Sequence, residues 1–299
     1  GALGGYFGGR LAQAGHDVWL IARGAHLKAL QSDGLRIVSP KGDAHINDIH
    51  AVGSPDEVGV ADIVFFMVKN RDVEPAASAI KPMLGDHTTI ATCQNGLSAW
   101  ERLGDIVGRD YVLPGVARIP GEVTEPGLVT HTAPFDALVF GEPDGQVTPR
   151  AETLRDILAE AGTSPQIAGN IIHELWSKFC AQSSLASLTT LTGQDIGPLR
   201  STPESEQLFK DAIAEAFAVG KAIVPDLPED IPEKNWAFVQ ALPPHMHASM
   251  LDDLRNGKPL EHDYLSGEVV KLGRECGVRT PIHSVLYAAL KPIADRLER

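Results

Sequence analysis

The sequence predicts an α/β protein, and two features of the chain carry that prediction. Short apolar runs alternate with short helical segments from Gly1 to about Gly162, and from Pro149 onward helical periodicity dominates while strands vanish. We therefore expect an N-terminal Rossmann-type parallel-sheet domain over residues 1–166 and a C-terminal all-helical domain over residues 167–299. The first would bind a nucleotide, and the second would hold a substrate.

The chain opens on the glycine-rich stretch G-A-L-G-G-Y-F-G-G. Gly1 and Gly4 have the spacing of the second and third glycines of a G-x-G-x-x-G dinucleotide turn. We expect the first glycine and the strand that leads to it to lie before residue 1. A glycine cluster is also typical of turns and close-packed helix starts, so this motif alone is weak evidence.

The next segment strengthens the interpretation and predicts the cofactor. A helix over residues 4–14 stops at Gly15, and a strand over Val18–Ile21 leads to Arg23. An acidic residue here would bind the ribose of NAD, whereas Arg23, followed by His26 and Lys28, suits the 2′-phosphate of NADP. The alternative is that these cations belong to an ordinary solvated surface.

Further apolar runs predict the rest of the first domain. Residues 61–68 and 88–92 read as buried strands, the first buried on both faces, and ligands bind beyond the carboxyl ends of such strands. Lys69 follows the first of them, and Asn95 lies shortly after the second. Other predicted strands cover residues 35–38, 45–52, 111–116, 128–131 and 137–140.

The second half predicts helices of ordinary length with recognisable caps. The predicted helix over residues 170–191 is mostly apolar and long enough to be the central helix of a helical domain. The predicted helices cover residues 150–161, 170–191, 203–224, 232–241, 247–256, 261–276 and 281–297.

Bulk properties exclude several classes of partner. A net charge of −13 and a pI near 5.2 argue against nucleic acid, which needs a basic surface. Three distant cysteines without metal spacing indicate reduced thiols and a cytoplasmic location. No window approaches a membrane span. The long apolar helices are compatible with a homodimer.

Taken together, six segments resemble the ketopantoate reductases (2-dehydropantoate 2-reductases), within the 6-phosphogluconate-dehydrogenase-like superfamily. In order they are G-A-L-G-G-Y-F-G, L-I-A-R-G-A-H-L, V-K, C-Q-N-G, L-W-S-K and S-M-L-D-D-L-R-N-G-K-P-L-E-H-D-Y-L-S-G. The resemblance covers nearly the whole chain. It implies NADPH-dependent reduction of a 2-keto acid, with 2-dehydropantoate as the first candidate substrate and pantothenate biosynthesis as the pathway.

The resemblance also implies the catalytic residues. Lys178 matches the family's catalytic lysine, whose ammonium would polarise the keto oxygen and protonate the resulting alkoxide. Glu174, one turn earlier, offers a simple surface ion pair as the alternative. Glu261 matches the acidic partner that engages substrate hydroxyl and lysine, although a carboxylate at a helix start is also common.

Binding residues follow from the same resemblance. Ser249 would bind the substrate carboxylate, and Asn95 and Gln182 would line the substrate site, although Asn95-Gly96 is also a common turn dipeptide. The expected cofactor contacts are Gly1, Leu3, Gly4, Arg23, Lys69, Asn95 and Glu261. His245, His247 and His262 are expected to cluster near Ser249 and Glu261 as solvated groups, with no metal site.

The chain departs from the family pattern on the lysine helix. Gln182 and Ala186 stand four and eight residues beyond Lys178, where the family typically carries asparagines. We expect Ala186 to remove a polar group from the wall of the cleft. The alternatives are therefore a related hydroxy-acid dehydrogenase with another 2-keto acid, or a catalytically silent NADP-binding regulator. A silent regulator has no need of the proton donor Lys178.

Overall fold

A computed structural model describes residues 1–298, and the chain divides into two compact units. The sheet unit comprises residues 1–94 and 99–171. The helical unit comprises residues 95–98 and the chain from residue 172 onward. Residue 166, where the sequence places the domain boundary, lies close to this division. The short segment 95–98 groups with the helical unit although strands and helices of the sheet unit flank it.

The sheet unit contains eleven strands within the described residues, arranged in three sheets. In chain order they are β1 (Trp19–Ile21), β2 (Leu35–Val38), β3 (Ala44–Ile46), β4 (His50–Val52), β5 (Ile63–Phe66), β6 (Thr89–Thr92), β7 (Val112–Arg118), β8 (Gly121–Glu125), β9 (Leu128–His131), β10 (Ala137–Phe140) and β11 (Ser164–Ile167).

The main sheet has the order β11-β10-β7-β6-β5. Strands β5, β6 and β7 run parallel, with Phe66 opposite Thr92 at their carboxyl ends. β10 is antiparallel to β7, and β11 is parallel to β10. A two-stranded parallel sheet pairs β1 with β4, and a mixed sheet has the order β3-β2-β9-β8. The α/β class with a parallel sheet in the N-terminal domain is thus confirmed.

Five α-helices accompany these sheets. They are α1 (Ala2–Gln13), α2 (Gly24–Asp33), α3 (Val73–Ala79), α4 (Ala99–Val107) and α5 (Pro149–Glu160), with short 3-10 turns at Pro55–Glu57, Asn70–Asp72, Lys81–Met83 and Arg109–Tyr111. Helix α1 lies close to β2 and β9 because it carries glycine: a Cβ on Gly9 would stand 2.6 Å from Ile37 of β2, and one on Gly5 2.8 Å from Val129 of β9. These contacts leave no room for a larger residue.

The helical unit contains seven α-helices and the 3-10 turn His262–Tyr264. The helices are α6 (Ile171–Thr192), α7 (Ile196–Ser201), α8 (Pro203–Ile223), α9 (Ile231–Ala241), α10 (Ser249–Arg255), α11 (Ser266–Cys276) and α12 (Pro281–Leu297). Helix α6 lies in the middle of the core, where Trp176 packs so close to α8 that a Cβ on Gly220 would meet its ring at 2.6 Å. Within residues 1–298, no helix is both long and apolar enough to cross a membrane.

A hydrogen-bonded chain of polar groups also ties this core together. The hydroxyls of Ser187 and Ser266 lie 2.5 Å apart, Ser266 Oγ is 3.1 Å from His283 Nδ1, and His283 Nε2 is 3.0 Å from the Ala212 carbonyl oxygen. A carbonyl only accepts, so Nε2 carries the proton and Nδ1 accepts from Ser266. The chain therefore links α6, α11, α12 and α8 and requires a neutral histidine.

Several predicted elements differ from the structure. Strand β11 follows Pro149, where strands were expected to end; it contains Pro165, which an edge strand tolerates because one side of its backbone needs no partner. Strand β8 is largely exposed and so lacks an apolar signal. The run 61–68 yields a strand of only four residues, in which Ile63 and Phe65 are half-buried rather than fully covered.

Candidate active site

Lys178 and Asn95 form the centre of the candidate site in the helical unit. The Lys178 ammonium donates a hydrogen bond of 2.9 Å to Asn95 Oδ1. Lys178 is half-buried on α6, whose flanking residues Trp176 and Phe179 belong to the core and fix the helix in place. An amide oxygen thus orients the charged end of a half-buried lysine.

Gly96 fixes the Asn95 turn against the turn that follows Glu261. Its φ of +93° lies in the left-handed region, and a Cβ there would stand 2.8 Å from the Tyr264 carbonyl oxygen and 3.5 Å from Glu268 Oε2. Only glycine satisfies both the backbone conformation and this close approach. The dipeptide is thus a turn, as the simpler interpretation held, and this turn also carries Asn95 to Lys178.

Glu261 precedes the 3-10 turn His262–Tyr264 and is 7% exposed. The helix expected from residue 261 begins only at Ser266, because Leu265, with φ −118° and ψ −100°, interrupts it. The prediction of one helix over 261–276 is therefore wrong. Glu261 is the N-cap residue of the 3-10 turn, whereas the first-turn acid of α11 is Glu268.

The expected substrate residues lie on two helices of the same unit. Ser249 is exposed at the first position of α10, and Gln182 is half-buried one turn beyond Lys178. Ala186 is fully buried and packs in the helical core, so the expectation that it removes a polar group from a cleft wall is wrong. A larger polar residue there would need room inside the core.

The first turn of α1 carries Gly1, Leu3 and Gly4, where a dinucleotide pyrophosphate is expected. The space that a Cβ would take at Gly4 contains no atom within 4 Å. Helix N-termini offer unpaired N–H groups and a positive potential that suit phosphate. The glycines of α1 that pack closely against strand side chains are Gly5, Gly8 and Gly9.

Arg23 lies at the N-cap of α2, shortly after β1, and its side chain is exposed together with that of Lys28. His26 is tied to the chain near β9, because its Nδ1 accepts a 3.0 Å hydrogen bond from the Gly127 backbone N–H. Burial also lowers the pKa of His26, so its ring is neutral at pH 7. Arg23 and Lys28 therefore remain the cations for a ribose phosphate.

Lys69 lies beyond β5, at the N-cap of the turn Asn70–Asp72. Two contacts that sequence reasoning missed hold this edge of the sheet. Gln94 Nε2 donates to the Phe66 carbonyl at 2.7 Å, which joins the ends of β5 and β6. Arg102 binds both carboxylate oxygens of Glu74 at 2.7 and 2.9 Å, and it donates to the Asn70 carbonyl at 2.6 Å.

The ion pair with Arg102 lowers the pKa of Glu74, so the bidentate contact is charged at neutral pH. Its arginine comes from α4 and its glutamate from α3, and 28 residues separate them. The sequence shows only that Glu74 and Arg102 are charged residues on two short helices, and this does not predict that they form an ion pair.

The three histidines expected to cluster have separate surroundings. His245 is exposed, and His247 bridges Asp195 and Asp252. His262 is fully buried, with its ring stacked on Tyr287 at 5.4 Å and its pKa lowered by burial, so it is not solvated. Among residues 1–298 no group of acidic, histidine and cysteine side chains has the arrangement of a metal site.

Comparisons with known proteins agree with this architecture. Residues 1–145 match the family model described as ketopantoate reductase PanE/ApbA, and residues 170–294 match the model of its C-terminal domain. A 2-dehydropantoate 2-reductase from Mesorhizobium japonicum is 30% identical over 315 residues, which cover 98% of this chain and 95% of that protein.

Solved structures give the same result. A PanE/ApbA family ketopantoate reductase from Ralstonia eutropha JMP134 is 31% identical with a TM-score of 0.92, covering 100% of this chain and 97% of that one. A 2-dehydropantoate 2-reductase from Methylococcus capsulatus is 29% identical with a TM-score of 0.89, covering 100% and 96%.

Proposed function

Because the chain belongs to the ketopantoate reductase PanE/ApbA family of oxidoreductases, we propose that it reduces a 2-keto acid to a 2-hydroxy acid with NADPH. We further propose 2-dehydropantoate as the substrate, which gives the enzyme a place in pantothenate biosynthesis. The observation that carries this function is the hydrogen bond from the Lys178 ammonium to Asn95 Oδ1.

Lys178 supplies the chemistry that a carbonyl reduction needs from the protein. When bound, the nicotinamide cofactor supplies the hydride. The negative charge that develops on the keto oxygen requires a cation nearby and then a proton. An ammonium provides both, and the hydrogen bond to Asn95 Oδ1 orients it. A silent regulator would not need this arrangement.

The remaining groups of the helical unit suit a small hydroxy acid. The proposed contacts are Ser249 to the substrate carboxylate, Gln182 to a polar substituent, and Glu261 to the hydroxyl group. Glu261 directly precedes the turn His262–Tyr264, against which Gly96 packs. The backbone of Glu261 is therefore close in the chain to a turn that contacts the segment of Asn95. The Glu261 side chain is 7% exposed, so bulk water has little access to it.

The sheet unit supplies the groups for the cofactor. The first turn of α1, with Gly1, Leu3 and Gly4, suits the pyrophosphate, and exposed Arg23 suits the 2′-phosphate that distinguishes NADPH from NADH. Lys69 lies beyond the carboxyl end of β5, where ligands of parallel sheets bind. The homodimer and the cytoplasmic location stay predictions.

The experiment is a panel of 2-keto acids assayed with NADPH absorbance, including 2-dehydropantoate, 2-oxoisovalerate and phenylglyoxylate. We expect 2-dehydropantoate to have the highest kcat/KM. Lys178→Ala should bind NADPH normally and lower kcat by a factor on the order of 10² to 10⁴. Lys178→Arg should recover little, because a guanidinium holds its proton too tightly.

The control is Lys271→Ala, which removes an exposed lysine of α11. It should keep the rate of the unmodified enzyme. A Lys178→Ala variant that folds and reduces its keto acid at the original rate would contradict the assignment of the proton donor. An enzyme with no activity on any keto acid of the panel would contradict the proposed reaction.

A further inference from the structure

We infer that His247 is a positioning residue for Ser249, and so for the substrate carboxylate; this inference rests on the function proposed above. His247 Nδ1 lies 2.8 Å from Asp195 Oδ1, and its Nε2 lies 2.8 Å from Asp252 Oδ1. Only 19% of the His247 side chain is exposed. Each ring nitrogen of His247 therefore lies within hydrogen-bond distance of a carboxylate oxygen.

The contact with Asp252 controls how the chain enters α10. Ala248 is the N-cap of this helix, which places His247 one residue before the cap and Asp252 at the fourth helical position. In many helices an apolar pair at these two positions fixes the angle of the incoming chain. Here an ion pair takes that place, and Ser249, the first helical residue, lies between its partners.

The contact with Asp195 anchors this pair to α7. Asp195 is the N-cap of α7, yet its side chain makes no capping hydrogen bond and instead faces His247. The first N–H groups of α7 bond to the segment that precedes α10: Ile196 N–H donates to the Met246 carbonyl and Gly197 N–H to the Pro244 carbonyl, each at 2.8 Å. The segment 244–247 is therefore held along α7 by backbone and side chain together.

Arg255 completes the set of charged groups in contact with this histidine. Its guanidinium lies 3.4 Å from His247 Nε2 and 3.9 Å from Asp195 Oδ1, and it donates to the Gly193 carbonyl at 3.3 Å. Gly193 directly follows α6, the helix of Lys178. The network thus connects the start of α10, where Ser249 lies, to the end of α6, the helix that carries the proposed proton donor.

This arrangement predicts a loss of substrate affinity without a loss of chemistry. His247→Gln keeps similar volume but can donate to only one carboxylate. It should raise KM for the preferred 2-keto acid by about 5- to 20-fold, with kcat and KM for NADPH within about twofold. Asp195→Asn should have the same effect. The double variant should raise KM no more than the single variant with the larger effect, because both substitutions remove the contact between His247 and Asp195.

His245→Gln is the matched control, since His245 is exposed two residues earlier, and it should leave all constants unchanged. The inference is overturned if both His247→Gln and Asp195→Asn keep KM for the keto acid within twofold. It is also overturned if kcat and both KM values change in proportion to a lowered Tm, which indicates general destabilisation. Asp195→Asn decides the matter where His247→Gln does not fold.

An unmodified enzyme without activity on the panel contradicts the proposed function rather than this inference. Calorimetric titration with 2-oxoisovalerate then decides between the two. A Kd that rises at least fivefold in His247→Gln supports the positioning role. Equal affinities, or no binding to either protein, overturn it.

Discussion

The ammonium of Lys178 and the side-chain oxygen of Asn95 lie 2.9 Å apart although 83 residues separate them in the chain. The segment that carries Asn95 leaves β6 and groups with the helices rather than with the sheet. The hydrogen bond orients a charged group on a rigid helix, which is how a proton donor is held ready for reaction.

Cofactor choice is expected to depend on Arg23. Arg23→Ala should weaken NADPH binding by roughly 10- to 100-fold, because a charge-assisted contact to phosphate contributes about 1.5 to 3 kcal/mol. NADH binding should change little, since NADH lacks that phosphate. Titration of cofactor fluorescence measures both affinities. Arg36→Ala is the control, because it removes a surface cation that lies 3.4 Å from Glu125. If Arg23→Ala weakens NADPH and NADH binding equally, Arg23 does not bind the 2′-phosphate.

Glu261→Gln is expected to affect binding more than turnover. The variant keeps the shape of the side chain but removes the charge of a carboxylate that is 7% exposed. KM for the keto acid should rise about tenfold, while kcat falls less than about threefold. Steady-state kinetics checks both constants. Glu275→Gln, an exposed position on α11, should change neither. A large fall in kcat at constant KM would assign Glu261 to the chemical step instead.

Gly96→Ala tests whether the Asn95 turn depends on close packing. An alanine is strained by the positive φ, and its Cβ would also lie 2.8 Å from the Tyr264 carbonyl oxygen. We expect a loss of at least about 2 kcal/mol of unfolding free energy, measured in urea, and a lower kcat. Gly277→Ala, with φ +76° and no atom near the added Cβ, should lose only about 1 kcal/mol and keep its activity. Equal effects of the two variants would show that the packing is unimportant.

The buried His283 predicts a loss of stability in acid. Burial lowers its pKa to about 4, whereas an unfolded histidine titrates near 6.5. Between these two pH values the unfolded chain binds a proton at this histidine and the folded chain does not. The free energy of unfolding therefore falls as the pH drops from about 6.5 toward 4. Between pH 7 and 4.5 this group alone should cost about 2 to 3 kcal/mol.

His283→Asn isolates that contribution, because the asparagine oxygen can accept from Ser266 in place of Nδ1 and the side chain does not titrate. The difference in unfolding free energy between pH 7 and 4.5 should be smaller in the variant by the same amount. Urea unfolding at both pH values gives the comparison. Identical differences in the two proteins would show that His283 does not control the acid response.

Local patterns were sufficient to predict most elements, because period and caps act over a few residues. The helices near residues 150–161 and 281–297 have apolar periodicity and proline at the start, and the structure gives Pro149–Glu160 and Pro281–Leu297. The strands Leu128–His131 and Ala137–Phe140 match the predicted ranges. The short helix α7, with glycine and proline in six residues, gave no such signal and was missed.

The sequence by itself determined the fold class, the family and the residue types of the candidate site, because these depend on composition, period and ordered motifs. Only the tertiary structure decided which groups meet. The break between Glu261 and α11, the bond from Lys178 to Asn95 and the bridge of His247 between two carboxylates each join residues through backbone geometry or distant chain segments. Such contacts depend on the summed packing of the core, which no local pattern encodes.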